Sequence, residues 1–160
     1  MAIFGKSGVT KKTPENIVFG AGTIHKGLKY TPATEGKSAG WNFADSLVGA
    51  TNGGSKFTIT PEVTNIEVDG IGVKSKGLAQ KTSETATMEI NLAELTKDII
   101  QAATLGQEGN SADANYDVIE SKTDIEDGDY WENIAFVGKT LKGKYIIAIL
   151  ENALCTSGFE

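Results

Sequence analysis

A chain of 160 residues, 39% hydrophobic and 22% charged, is long enough to bury its own core and too apolar for a disordered segment; it fits one soluble globular domain. Its formal charge is −6 and every basic residue is lysine, which argues against tight nucleic-acid binding, because arginine makes the bidentate phosphate and base contacts. The single cysteine, Cys155, excludes an internal disulfide and points to intracellular synthesis, and no apolar leader or membrane-spanning run is visible.

Residues 1–14 read as a flexible arm, with Lys6, Lys11 and Lys12 and a stop at Pro14, ahead of one domain over 15–160. Ile17-Val18-Phe19 and residues 23–30 read as short strands broken by glycine. Residues 31–55 read as a long loop anchored by Trp41, Phe43 and Leu47. Residues 56–69 form the first long strand: Phe57, Ile59, Pro61 and Val63 alternate with Thr58, Thr60, Glu62 and Thr64. The apolar phase then slips to Ile66 and Val68, which predicts a bulge near Thr64-Asn65. Asp69-Gly70 marks a turn before a strand over 73–78. Residues 84–92 alternate cleanly, with Ala86, Met88, Ile90 and Leu92 against Thr85, Thr87, Glu89 and Asn91.

The apolar spacing of Leu92, Leu95, Ile99 and Ala102 predicts a helix over 91–105, capped by Asn91 and stopped by Gly106. A polar loop follows over 107–114. Strands are expected over 116–119 and 130–141, separated by the acidic stretch 124–129. After a turn at Leu141-Lys142-Gly143-Lys144, the apolar run Tyr145-Ile146-Ile147-Ala148-Ile149-Leu150 predicts a strand buried on both faces. The sum is a mainly β fold, an antiparallel sandwich or barrel-like sheet with one flanking α-helix.

No catalytic or metal-binding pattern emerges. Gly36-Lys37-Ser38 has Thr31 where a phosphate loop requires glycine, and Gly5-Lys6-Ser7 lies too near the start to have one. With Gly128 at its sixth position, the acidic stretch places Ile125 and Ile134 where a calcium loop needs ligands. One cysteine and one histidine, His25, are too few for zinc. Asp69 and Glu89 are the nearest approach to a carboxylate pair, and nothing raises them above surface acids. The lysines of residues 1–40 face only Glu15 and Glu35, whereas residues 108–132 are acidic apart from Lys122; these are either solvated faces or complementary ends of a subunit.

Three segments taken in order carry a resemblance: residues 47–62 continuing into Ile66-Glu67-Val68-Asp69-Gly70; the strand-to-helix unit 88–105; and Asn133-Ile134-Ala135-Phe136-Val137-Gly138 followed by residues 145–154. Together they resemble the major tail proteins, or tail tube subunits, of siphophages and prophages of Gram-positive bacteria, over most of 16–159. The resemblance implies hexameric rings that stack into a hollow tube around the tape measure protein. It also implies contacts with tail terminator and distal tail or baseplate proteins, passage of double-stranded DNA during ejection, and a place in the virion tail after synthesis in the host cytoplasm. It implies no enzyme activity, cofactor or membrane insertion. Family members usually carry one more strand region, so the resemblance implies either a chain shortened after Glu160 or one whose ending differs.

For a tube, the polar faces Thr58, Thr60, Glu62, Thr85, Thr87 and Glu89 are expected to line the lumen, where glutamate repels phosphate and threonine stays neutral. Phe57, Ile59, Ala86, Met88 and Ile90 are expected to pack under the helix through Leu95 and Ile99. Lys6, Lys11, Lys12, Trp41, Phe43 and Leu47 are expected to make contacts between rings. The alternatives are a tube protein of a contractile tail, phage-like bacteriocin or type VI secretion machine, and a monomeric carbohydrate- or cell-surface-binding β module built on Trp41, Trp131 and Tyr130.

Overall fold

The computed structural model of the protein describes residues 8–18, 21–70 and 72–158. Its elements in chain order are α1 (Thr13–Asn16), β1 (Thr23–Lys26), β2 (Tyr30–Thr31), β3 (Gly40–Trp41), α2 (Phe43–Ser46), β4 (Leu47–Gly49) and β5 (Thr51–Asn65). They continue with β6 (Ala79–Leu92), α3 (Lys97–Thr104), β7 (Gly106–Glu108), β8 (Ile119–Ser121), a 3-10 turn (Asp127–Asp129), β9 (Trp131–Lys139) and β10 (Tyr145–Ala153). The fold is mainly β, 46% strand against 13% helix, with antiparallel sheets. It divides into two compact units, one holding Met1–Gly54 with Asn91–Glu160 and the other Ser55–Ile90.

In the larger unit a four-stranded sheet runs in the order β10-β9-β1-β4, each neighbour antiparallel. Register explains its core. Val137 lies opposite Ile147 and Ala135 opposite Ile149, so these four share one face. There they join the buried Leu28 and the half-buried Trp41 and Phe43. Ile134 lies opposite Leu150 and Phe136 opposite Ala148 on the other face. The strand buried on both faces is therefore β9, not β10 as the apolar run suggested. β10 is an edge strand, and Tyr145 and Ile146 stay exposed.

One residue joins this sheet to the turn that leaves it. The Asn133 side chain accepts a hydrogen bond from the Leu28 amide at 2.8 Å and donates to the Leu28 carbonyl at 3.2 Å. Its backbone carbonyl accepts from the Gly27 amide at 3.0 Å. Asn133 and Leu28 are both buried, so both polar groups of Leu28 depend on this one side chain.

Residues 31–55 are not one long loop. Tyr30 pairs with Trp41 across β2 and β3, Asn42 caps α2 by accepting from the Asp45 amide at 3.4 Å, and β4 lies on the edge of the sheet against β1. Pro14 starts α1 instead of stopping the arm, because a first-turn position needs no N–H donor.

The predicted helix over 91–105 is shorter at its start. β6 runs on to Leu92, and the Ala93 amide donates to the Ala50 carbonyl at 2.8 Å, so Thr96 rather than Asn91 becomes the cap of α3. Leu105, not Gly106, takes the left-handed closing position, with φ of 49°. Gly106 is instead held by close packing: a Cβ there would sit 2.7 Å from Ile119 Cγ2 and 3.0 Å from the Glu120 carbonyl oxygen. Ile99 is buried, whereas Leu95 precedes the helix and is exposed.

The smaller unit is the ribbon formed by β5 and β6. The expected bulge at Thr64-Asn65 is the end of β5, and the strand expected over 73–78 is a loop in its described residues. Gly53 and Gly54, at the start of β5, have φ of 86° and 85°, a region open to glycine at little cost.

Replacing Asn133 with alanine strands two buried backbone groups, each worth roughly 1–3 kcal/mol. We expect Asn133→Ala to lower stability by about 2–4 kcal/mol in urea unfolding, seen as a lower midpoint at constant slope. Gly106→Ala is expected to cost about 1–3 kcal/mol in the same measurement, since backbone as well as side chain would have to move.

Candidate assembly surfaces

Cross-strand contacts define the faces of the ribbon. Lys56 Nζ lies 3.3 Å from Glu89 Oε1, and Ser83 Oγ donates to Glu62 Oε2 at 2.6 Å. The two contacts run in opposite order along the strands, which makes the pair antiparallel and puts Lys56, Glu62, Ser83 and Glu89 on one face. Alternation then adds Thr58, Thr60, Thr85 and Thr87 to that face. All six polar residues singled out from the sequence are thus brought together; Thr58 is half-buried and the others are exposed. Sequence reasoning missed Lys56 and Ser83 as members of the face. Their phase, two residues from Thr58 and Thr85, was the available signal. Lys56 offsets Glu89, so this face is closer to neutral than the glutamates alone suggest.

The opposite face of the ribbon carries Phe57, Ile59 and Val63, all exposed. Asp69 lies in the turn that leaves β5, while Glu89 is paired with Lys56 near the other end of the ribbon. The two carboxylates are not neighbours.

The residues expected between rings separate into three groups. Lys6 lies outside the described residues. Lys11 and Lys12 are exposed ahead of α1. Trp41 and Phe43 are half-buried against the core, where Trp41 meets Tyr30 at 5.3 Å and Phe43 meets Tyr145 at 5.2 Å between ring centroids. Leu47 is 52% exposed. Trp41 and Phe43 therefore serve the fold first, and Leu47 is the open apolar residue of this set.

Neither tryptophan is an open platform for a sugar ring. Trp131 is half-buried and the Lys26 ammonium lies 4.5 Å from its ring centroid, while Trp41 is packed as described. Tyr130 is exposed. A groove of about 310 Å³ runs past Lys26, Asp98, Gln101 and Trp131 and is shallow and open.

The acidic stretch is organised by a lysine. Lys122 Nζ lies 2.7 Å from Asp129 and 3.3 Å from Glu126. The Glu126 amide, donating at 2.8 Å, and then Lys122 hold the Asp129 carboxyl below its ordinary range. Glu108 and Asp117, at 2.8 and 3.0 Å, raise the Lys97 ammonium. Among the described residues, no cluster of three or more His, Cys, Asp or Glu side chains is arranged to hold a metal ion. No helix among them is long and apolar enough to cross a membrane.

The chain matches no protein-family model, no curated protein and no solved structure.

The division between packed and open residues can be measured. Trp41→Ala is expected to cost about 2–4 kcal/mol in urea unfolding, because it uncovers the Leu28 cluster. Leu47→Ala is expected to change stability by less than about 0.5 kcal/mol. Equal losses for the two would contradict the assignment.

Proposed function

We propose that this chain is a structural subunit that polymerises as stacked hexameric rings into the tail tube of a siphophage-like particle, enclosing a tape measure protein and conducting double-stranded DNA. The observation that best supports the reading is the ribbon of β5 and β6. It collects the threonines and glutamates onto one face and leaves Phe57, Ile59 and Val63 exposed on the other. A tube subunit needs both: a weakly charged face over which a polyanion slides, and apolar and strand-edge surface that neighbouring copies cover. The edge strand β10, with Tyr145 and Ile146 exposed, offers a second such surface. The ordered resemblance along 47–154 supplies the rest of the reading.

In this arrangement Leu47, Lys11 and Lys12 face the next ring, with Trp41 and Phe43 holding the segment that presents Leu47. The tail terminator and the distal tail or baseplate proteins would cap the two ends of the tube, and the assembled protein would reside in the virion tail.

Negative-stain electron microscopy of the concentrated protein tests the reading. Rings or long hollow tubes are the expected result. A chain that sediments as a monomer at the highest concentration reached and shows no rings counts against it. The lumen assignment has its own test. Tubes of the double variant Glu62→Lys, Glu89→Lys should retain duplex DNA in a low-salt gel-shift assay and release it as salt rises, whereas tubes of the unaltered protein should not retain it.

A further inference from the structure

His25 sits on β1 with only 2% of its surface exposed, and hydrogen bonds give every proton around it a direction. Ser46 Oγ donates to the Asn42 carbonyl at 2.6 Å, so it can only accept from His25 Nδ1, 2.9 Å away. Nδ1 therefore carries the ring proton, and Nε2 accepts from Thr23 Oγ1 at 2.8 Å. The resulting chain runs from Thr23 through the imidazole and Ser46 to the Asn42 carbonyl. Asn42 and Ser46 bracket α2, and this same segment carries Trp41 and Phe43 onto the Leu28 cluster.

In this arrangement of protons the ring is neutral. A proton on Nε2 would meet the Thr23 hydroxyl proton, and that hydroxyl would have to turn toward the Val137 carbonyl, a long 3.5 Å away. No carboxylate compensates the new charge. Lys26, next on β1, is engaged with Asp98 at 4.0 Å and with Trp131. On α2, Asp45 is exposed. On β9, Glu132 pairs with Lys29 at 2.8 Å and Lys139 lies over the Tyr145 ring. β4 has no charged residue, and the ring packs against Phe43 at 5.5 Å, with Tyr145 behind Phe43.

We propose that the Thr23–His25–Ser46–Asn42 chain is a proton-operated latch: neutral His25 holds α2, Trp41 and Phe43 on the sheet, and protonated His25 lets them lift.

Burial holds the imidazole below its ordinary 6.5 in the closed state, and an opened segment returns it to water and to that ordinary value. The sign follows. Above 6.5 both states are neutral and the latch is at full strength. As the pH falls below 6.5 the open state binds the proton and the closed state does not. The opening constant then rises by as much as about tenfold per pH unit, until the closed-state value is reached. Because the segment also presents Leu47, acid would alter ring stacking; that consequence rests on the tube reading, whereas the latch belongs to the single subunit.

The test is amide hydrogen exchange on dilute monomer from pH 7.5 to 5, corrected for intrinsic exchange. The probes are Asn42, whose amide donates to the Lys29 carbonyl, and Asp45, whose amide is held by the cap. The opening constant for these amides should be flat above pH 6.5 and rise several-fold to about tenfold per unit below it, while the β9 and β10 amides keep their protection. In His25→Asn, which can donate to Ser46 but cannot titrate, the rise should vanish. A pH-independent constant in the unaltered protein, or the same rise in the variant, overturns the latch. If the variant does not fold, NMR titration of the His25 ring in the unaltered protein decides: a midpoint below 6.5 with the Trp41 indole shifting in step supports the latch, and any other result overturns it.

Discussion

The larger unit depends on the way Asn133 holds Leu28. β1 is only four residues long, yet it lies between β9 and β4 and carries the buried Ile24 and His25. Such a short strand needs its end defined, because a one-residue slip would exchange its two faces. Asn133 does this with three hydrogen bonds: its backbone carbonyl extends the ladder by one pair to Gly27, and its side chain adds two bonds to Leu28 that ladder geometry alone would not supply. Fixing Leu28 fixes the departure of the chain toward β2 and so the position of Trp41, which returns to cover Leu28. The core cluster therefore closes on itself through one polar side chain. An isosteric apolar residue at 133 would fill the space and still leave Leu28 with two buried, unpaired groups.

Two different kinds of chemistry hold the two units. Side-chain burial on both faces of β9 anchors the larger one, and its polar contacts are few and specific. The ribbon Ser55–Ile90 is largely exposed and has cross-strand pairs in place of a core. Its ion pair Lys56–Glu89 leaves both side chains 67% exposed, so screening keeps its contribution small. A two-stranded ribbon of this length is marginal by itself in water. That marginality is the physical reason for reading the ribbon as a surface completed by assembly.

Period-two alternation made β5 and β6 legible in the sequence, along with six members of their polar face, because a strand exposed to water must separate polar from apolar residues. The mainly β class and the β9–β10 pair were legible for a related reason: long apolar runs bounded by a Gly-Lys turn leave few other structures open. What escaped was everything decided at a distance. The apolar run in β10 is as rich as that in β9, and only sheet order tells which one is central. Residues 31–55 read as a loop because β2, β3, α2 and β4 are each four residues or fewer, too short for periodicity to register. The start of α3 shifted from Asn91 to Thr96 because β6 runs on to Leu92 and the Ala50 carbonyl, between β4 and β5, takes the Ala93 amide.

His25 shows the same limit and what lies behind it. In the sequence it is a lone histidine on a glycine-rich strand, an ordinary position with no partner in view. Its partners Thr23 and Ser46 are neutral hydroxyls, the residue types least conspicuous in a scan for chemistry, and Ser46 becomes a partner only because α2 folds back over β1. Hydroxyls can orient a neutral imidazole fully but cannot stabilise a buried imidazolium as a carboxylate would. An aspartate in place of Ser46 would raise the proton affinity of the ring and hold the segment down on acidification. With serine there, the same geometry makes closure depend on the ring being neutral. The choice of a hydroxyl over a carboxylate at this one position sets the direction in which the segment responds to acid.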